Sequence, residues 1–137
     1  MGMETKTISA LMVAPGEHPV VTTLCCCRQF LDLAVSFGAG DPCEASFLRL
    51  TEDVGILYNR EASFHRLKGN RRLGNKILAG VFYIVGVEAG RLASLSDEQV
   101  ARYEMMFYDP ETYTEQEVDE AFFDSWIDEI EQSILCY

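Results

Sequence analysis

Residues 77–87 read Ile77-Leu78-Ala79-Gly80-Val81-Phe82-Tyr83-Ile84-Val85-Gly86-Val87, with no charged side chain among them. β-Branched and aromatic residues dominate the stretch, and such side chains fit a pleated surface better than a helix. Its near-continuous apolar character predicts a central strand covered on both faces. It is also too short to span a bilayer, and Gly80 and Gly86 interrupt it.

Upstream of this strand, Ile8–Ala14 has the composition of a buried strand, Pro15-Gly16-Glu17 turns the chain, and His18–Thr22 completes a hairpin. Leu24–Phe37 has helical spacing, with Leu24, Cys27, Leu31, Ala34 and Val35 on one face, Thr23 as N-cap and Gly38 as stop. Ala45–Leu50 and Val54–Tyr58 read as strands joined through Thr51-Glu52-Asp53. Asn59 to Asn75 reads as an irregular basic loop containing Arg60, Arg66, Lys68, Arg71 and Arg72.

Downstream, Ser96 and Gln99 have the spacing of a capping box, with Leu95 and Val100 as the hydrophobic staple, and Asp109-Pro110 ends that helix. A second box, Thr114 with Glu117, opens a helix carrying Val118, Phe122, Trp126, Ile130 and Ile134 at i+4 steps. The order of elements predicts an α+β domain: a mostly antiparallel sheet with helices packed on one side. Residues 1–107 form the domain in this reading, and residues 108–137 an acidic amphipathic helical extension.

Several of these segments occur together in an order that resembles one family. They are Val13-Ala14-Pro15-Gly16-Glu17, Phe30-Leu31, Asn59-Arg60-Glu61, Asn70-Arg71, the strand Gly80-Val81-Phe82-Tyr83-Ile84-Val85-Gly86, and Leu95-Ser96-Asp97-Glu98-Gln99. The chain resembles the bacterial and phage family called domain of unknown function 3846 over roughly residues 8–107. The Asn-Arg pair, the Gly-x-Phe-x-Ile-Val-Gly strand and the Leu-Ser-Asp-Glu-Gln helix start are the most specific parts. The resemblance implies a small protein of phages, plasmids and conjugative elements, and implies no particular activity.

The formal net charge is −11, and its distribution is uneven. Acidic and basic residues balance over positions 1–90, so the whole excess lies in the last third, where only Arg91 and Arg102 oppose the carboxylates. Such a block draws in cationic partners and repels nucleic acid and anionic membranes. Met1-Gly2-Met3-Glu4 lacks the basic and apolar regions of a secretory signal, and five cysteines, three of them consecutive, match no secreted disulfide framework. A soluble cytoplasmic protein with reduced thiols is therefore expected.

Little in the sequence points to catalysis. On a helix, Cys25, Cys26 and Cys27 would point about 100° apart, which does not suit a metal site, so no metal and no cofactor are expected. Gly69-Asn70-Arg71-Arg72-Leu73-Gly74-Asn75-Lys76 departs from a phosphate loop because Asn75 separates glycine from lysine and Ile77 stands where Ser or Thr would hold magnesium. His18 and His65 are the only histidines, and neither sits beside a nucleophile in sequence.

The leading expectation is a non-enzymatic protein that binds a basic partner and blocks its nucleic-acid site, the partner being a host defence enzyme such as a restriction or CRISPR nuclease. Glu115, Glu117, Glu120, Asp124, Asp128 and Glu131 are the expected contacts, with Phe122, Phe123 and Trp126 as anchors. One alternative is an anionic-ligand or nucleotide-binding module using Arg66, Lys68, Asn70, Arg71 and Arg72, since a planar guanidinium suits such a group. Another is a structural homo-oligomer. Tight nucleic-acid binding and membrane association are not expected from the charge.

Overall fold

In a computed structural model the chain is described over residues 6–37, 43–61 and 66–124. Strand β1 (Thr7–Val13) turns at Pro15-Gly16, where Gly16 takes a φ of 77°, and returns as β2 (Val20–Cys25). Helix α1 (Arg28–Val35) follows, then β3 (Ala45–Arg49) and β4 (Val54–Asn59). A short hairpin, β5 (Gly69–Leu73) and β6 (Lys76–Ala79), precedes β7 (Phe82–Glu88) and β8 (Arg91–Ala93). Helix α2 (Asp97–Met106) comes next, and residues 115–124 are helical and are labelled α3.

The main sheet is six-stranded and antiparallel in every pairing, in the order β2-β1-β7-β4-β3, with β8 also pairing β7. The apolar stretch thus lies at the centre, as its composition requires. It is not one strand, however. Gly80 takes a φ of 71° and hands the chain from the small β5–β6 sheet to the large one. A Cβ at Gly80 would meet Leu67 Cδ1 at 2.9 Å. Gly86 marks a close backbone approach, since a Cβ there would lie 2.7 Å from the Ser94 carbonyl oxygen.

Alternate residues of β7 feed two cores. Phe82 and Ile84 pack with Leu11, Val13, Val54 and Ile56 on one face, where Tyr103 of α2 and Phe107 complete the cluster. Tyr83 and Val85 pack with Ile8, Ala10 and Leu57 on the other, beneath Leu31 and Val35 of α1. Each fully buried aliphatic or aromatic side chain contributes roughly 1.5–3 kcal/mol. The α+β class holds, but the helices lie on both faces of the sheet rather than on one. A central strand apolar on both sides demands that arrangement.

Two further expectations change. The first helix is shorter than Leu24–Phe37: Val20-Val21-Thr22-Thr23 are β-branched and pair with β1 as far as Thr7↔Cys25. Cys27, not Thr23, takes the N-cap position, and it makes no side-chain capping bond. The three cysteines therefore leave a strand rather than ride a helix, while Gly38 lies outside the described residues. The basic loop is the second change, because Gly69–Leu73 is a strand. Helix α2 begins as expected: Ser96 Oγ accepts from the Gln99 N–H, and Gln99 Oε1 accepts from the Ser96 N–H, a box in which the serine is worth about 1 kcal/mol. Among the described residues, no helix is long and apolar enough to cross a membrane.

Candidate functional site

Asn70 and Arg71 are both fully buried, with 0% exposure. Consecutive strand residues normally point to opposite faces. Here the β5–β6 register slips between Gly69 and Arg71, so Asn70 is the extra residue of a bulge, a device that re-aims a side chain. Asn70 Nδ2 donates to the carbonyls of Val13 and Gly80, both at 2.8 Å. Its Oδ1 accepts from Arg71 Nη1 at 2.7 Å.

Arg71 directs its other hydrogen bonds to backbone oxygens. Nε donates to Phe107 at 3.0 Å, Nη2 to Glu17 at 2.7 Å, and Nη1 also to Asn70 at 3.3 Å. The pair therefore ties together the end of β1, the β1–β2 turn, the β6–β7 junction and the end of α2. Burial pulls the guanidinium pKa down, and the charges of Glu111 and Asp109 act the other way. This geometry turns the expected ligand-binding pair inward, onto the protein's own carbonyls. Arg66, Lys68 and Arg72 remain exposed. The Arg72 guanidinium stands 5.7 Å from the Tyr113 ring centroid, and its backbone N–H donates to Glu111 Oε1 at 2.9 Å. The Tyr113 hydroxyl also donates to Glu111, and its pKa is raised by burial first and by that bond next.

The acidic helix is seated on the same hairpin. Val118 is buried with Ala79 against Leu67, Ile77 and Tyr113. Gly69 leaves room for this contact, since a Cβ there would meet Val118 Cγ2 at 2.8 Å. Ala121 is buried on the same helix. The start of α3 is set by its box: Thr114 N–H donates to Glu117 Oε1 at 2.9 Å, and Glu117 N–H to Thr114 Oγ1 at 3.1 Å. Those bonds, more than the nearby Arg72 charge, hold the Glu117 carboxyl below its usual pKa.

Glu115, Glu117, Asp119, Glu120 and Asp124 all face solvent. Arg28 forms ion pairs with Asp32 and Glu44, and among the described residues no ion pair engages these five. Glu120 accepts from Gln116 Nε2 at 3.0 Å. Of the expected anchors, Phe122 is half-buried and Phe123 is 55% exposed. Trp126, Asp128 and Glu131, with His65, lie outside the described residues.

Other sites offer less chemistry. A groove of about 610 Å³ runs past Met12, Ala14, Leu33, Phe37, Val81 and Tyr83, with Glu17 and Lys68 at its edge. His18 stacks on Tyr108 at 4.2 Å, and its Nδ1 lies 2.7 Å from the Tyr108 carbonyl oxygen. Because a carbonyl only accepts, Nδ1 carries the proton. Among the described residues, no group of His, Cys, Asp and Glu gathers to hold a metal ion.

An antiparallel sheet with a helix on each face, pinned by a buried Asn-Arg bulge, defines an α+β domain whose most specific sequence motif is internal. The family model for the domain of unknown function DUF3846 matches residues 8–108, and the chain belongs to that family. Neither a curated protein nor a solved structure matches it.

Proposed function

We propose that the protein is a non-enzymatic binding protein that presents α3 to a basic partner. The observation that carries this reading is the arrangement of residues 115–124. Val118 and Ala121 are buried, while Glu115, Glu117, Glu120 and Asp124 face water without an arginine or lysine of the described fold in ion-pair contact. Carboxylates spaced on a rigid helix can stand in for phosphates, so the partner is a nucleic-acid-handling enzyme and the mode is occupation of its basic groove. In the setting of phages and plasmids that the resemblance implies, that enzyme is a host restriction or CRISPR nuclease. The anionic-ligand alternative is not favoured, because Asn70 and Arg71 direct their donors to internal carbonyls.

The test is capture from bacterial lysate with the full chain as bait, followed by competition with DNA. A retained nuclease that is released by moderate salt, displaced by DNA, and lost with the double change Glu120→Lys and Asp124→Lys supports the proposal. Retention unaffected by those changes, or by salt, overturns it. Circular dichroism checks that the variant stays folded, as exposed positions allow.

A further inference from the structure

We propose that the groove between α1 and the main sheet binds a single-chain aliphatic carboxylate, with its hydrocarbon along the sheet and its carboxylate at Lys68. Helix α1 is eight residues long and covers only part of its face of the sheet. Leu31 and Val35 are buried over Ile8, Ala10 and Leu57. Beyond them Met12, Ala14, Val81 and Tyr83 form a floor, and Leu33 and Phe37 form a wall that is 58% and 81% exposed. The space between is about 610 Å³, within the roughly 300–1,000 Å³ of small-molecule sites.

The polar atoms along this floor are already bonded within the protein. Met12 lies in ladders with both Val20 and Tyr83, and Tyr83 also pairs with Leu57. The Tyr83 hydroxyl donates to the Ala34 carbonyl at 3.3 Å, and the Ala14 carbonyl accepts from the Glu17 N–H at 3.2 Å. Gly80 donates its N–H to the Lys68 carbonyl and accepts from Asn70 Nδ2, both at 2.8 Å. A peptide laid against this floor would turn amide groups toward a surface that offers them no partner, a cost that an alkyl chain does not incur. The floor therefore selects hydrocarbon over a strand or a polar ligand.

Charge selects the head group. Lys68 is exposed at the edge of the groove, and Arg66, also exposed, stands two residues before it. Among the described residues no ion pair engages either cation. Glu17 is the single carboxylate of the lining, and its backbone carbonyl accepts from the buried Arg71 guanidinium at 2.7 Å. Cations therefore outnumber carboxylates at this edge, in a chain whose net charge is −11. An anionic head is attracted there and a cationic one is not.

The experiment is calorimetric titration of the full chain with decanoate, below the concentration at which decanoate forms micelles. Saturable binding of one decanoate per chain is expected, with octanoate roughly tenfold weaker because two buried methylenes are lost. Lys68→Glu should weaken decanoate binding roughly tenfold, and Glu17→Gln should tighten it. Leu33→Asp, at an exposed position of the wall, should abolish binding while the circular dichroism stays unchanged. Arg102→Glu makes the same change of charge on α2, which packs on the opposite face of the sheet, and should leave binding as it was. Absence of decanoate binding overturns the proposal, as does equal binding of decyltrimethylammonium, which carries the same tail on a cationic head. So does a loss in Lys68→Glu that Arg102→Glu reproduces, or a Glu17→Gln change that weakens binding. Phosphatidylglycerol vesicles that retain the chain when decanoate does not bind would assign the groove to a membrane surface and equally overturn it. Should Leu33→Asp fail to fold, the comparison of head groups and the Lys68 variant still decide.

Discussion

A buried arginine with no carboxylate in ion-pair contact is an expensive residue, and Arg71 is kept in place by what it satisfies. The carbonyls of Phe107 and Glu17 lie far from it in sequence, and one guanidinium bonds both together with the carbonyl of neighbouring Asn70. A buried acceptor left without a donor costs about 1–3 kcal/mol. Arg71→Met keeps the side chain's length and removes every donor, so we expect a loss of at least about 3 kcal/mol, read from urea denaturation. Arg71→Lys should recover only part of that loss, because one ammonium cannot reproduce the planar fork. Asn70 cannot take over, since its amide is already committed to Val13 and Gly80.

At the scale of elements, the β5–β6 hairpin links the core to the acidic helix. Val118 reaches it through the space above Gly69. Val118→Asp buries an unpaired carboxylate at that contact, so α3 should detach while the main sheet survives. Hydrogen exchange would read this as lost protection in residues 118–124 with β7 amides unchanged. Much at this scale was legible in the sequence. The apolar run marked the central strand, and both capping boxes placed helix starts at Ser96 and Thr114. The β5 strand was obscured because Arg71 and Arg72 lower its hydrophobicity, although Gly74-Asn75 between Leu73 and Lys76 is a two-residue hairpin signal. The cysteine run reads as helical because Leu24, Cys27 and Leu31 mimic a helical face, while the β-branched residues before them answer to β1.

For the whole molecule, charge asymmetry is the dominant long-range feature. With carboxylates concentrated in the last third, self-repulsion opposes the folded state and salt relieves it. Thermal melts should therefore shift upward as sodium chloride is raised from low to physiological strength, and the shift should shrink in the Glu120→Lys, Asp124→Lys variant. The exposed acids of α3 could be read directly from the periodicity of apolar residues. The inward turn of Asn70 and Arg71 could not, because a bulge is a property of pairing register and a single strand does not carry it.

The clasp also sets a route for mechanical force. A tug on the C-terminal helix reaches the β5–β6 hairpin through Val118, and the rigid guanidinium passes it to Glu17, which stands just before β2. The contact of His18 with Tyr108 runs beside that route, so a pull on α3 is shared between a guanidinium and a ring stack before it reaches β2.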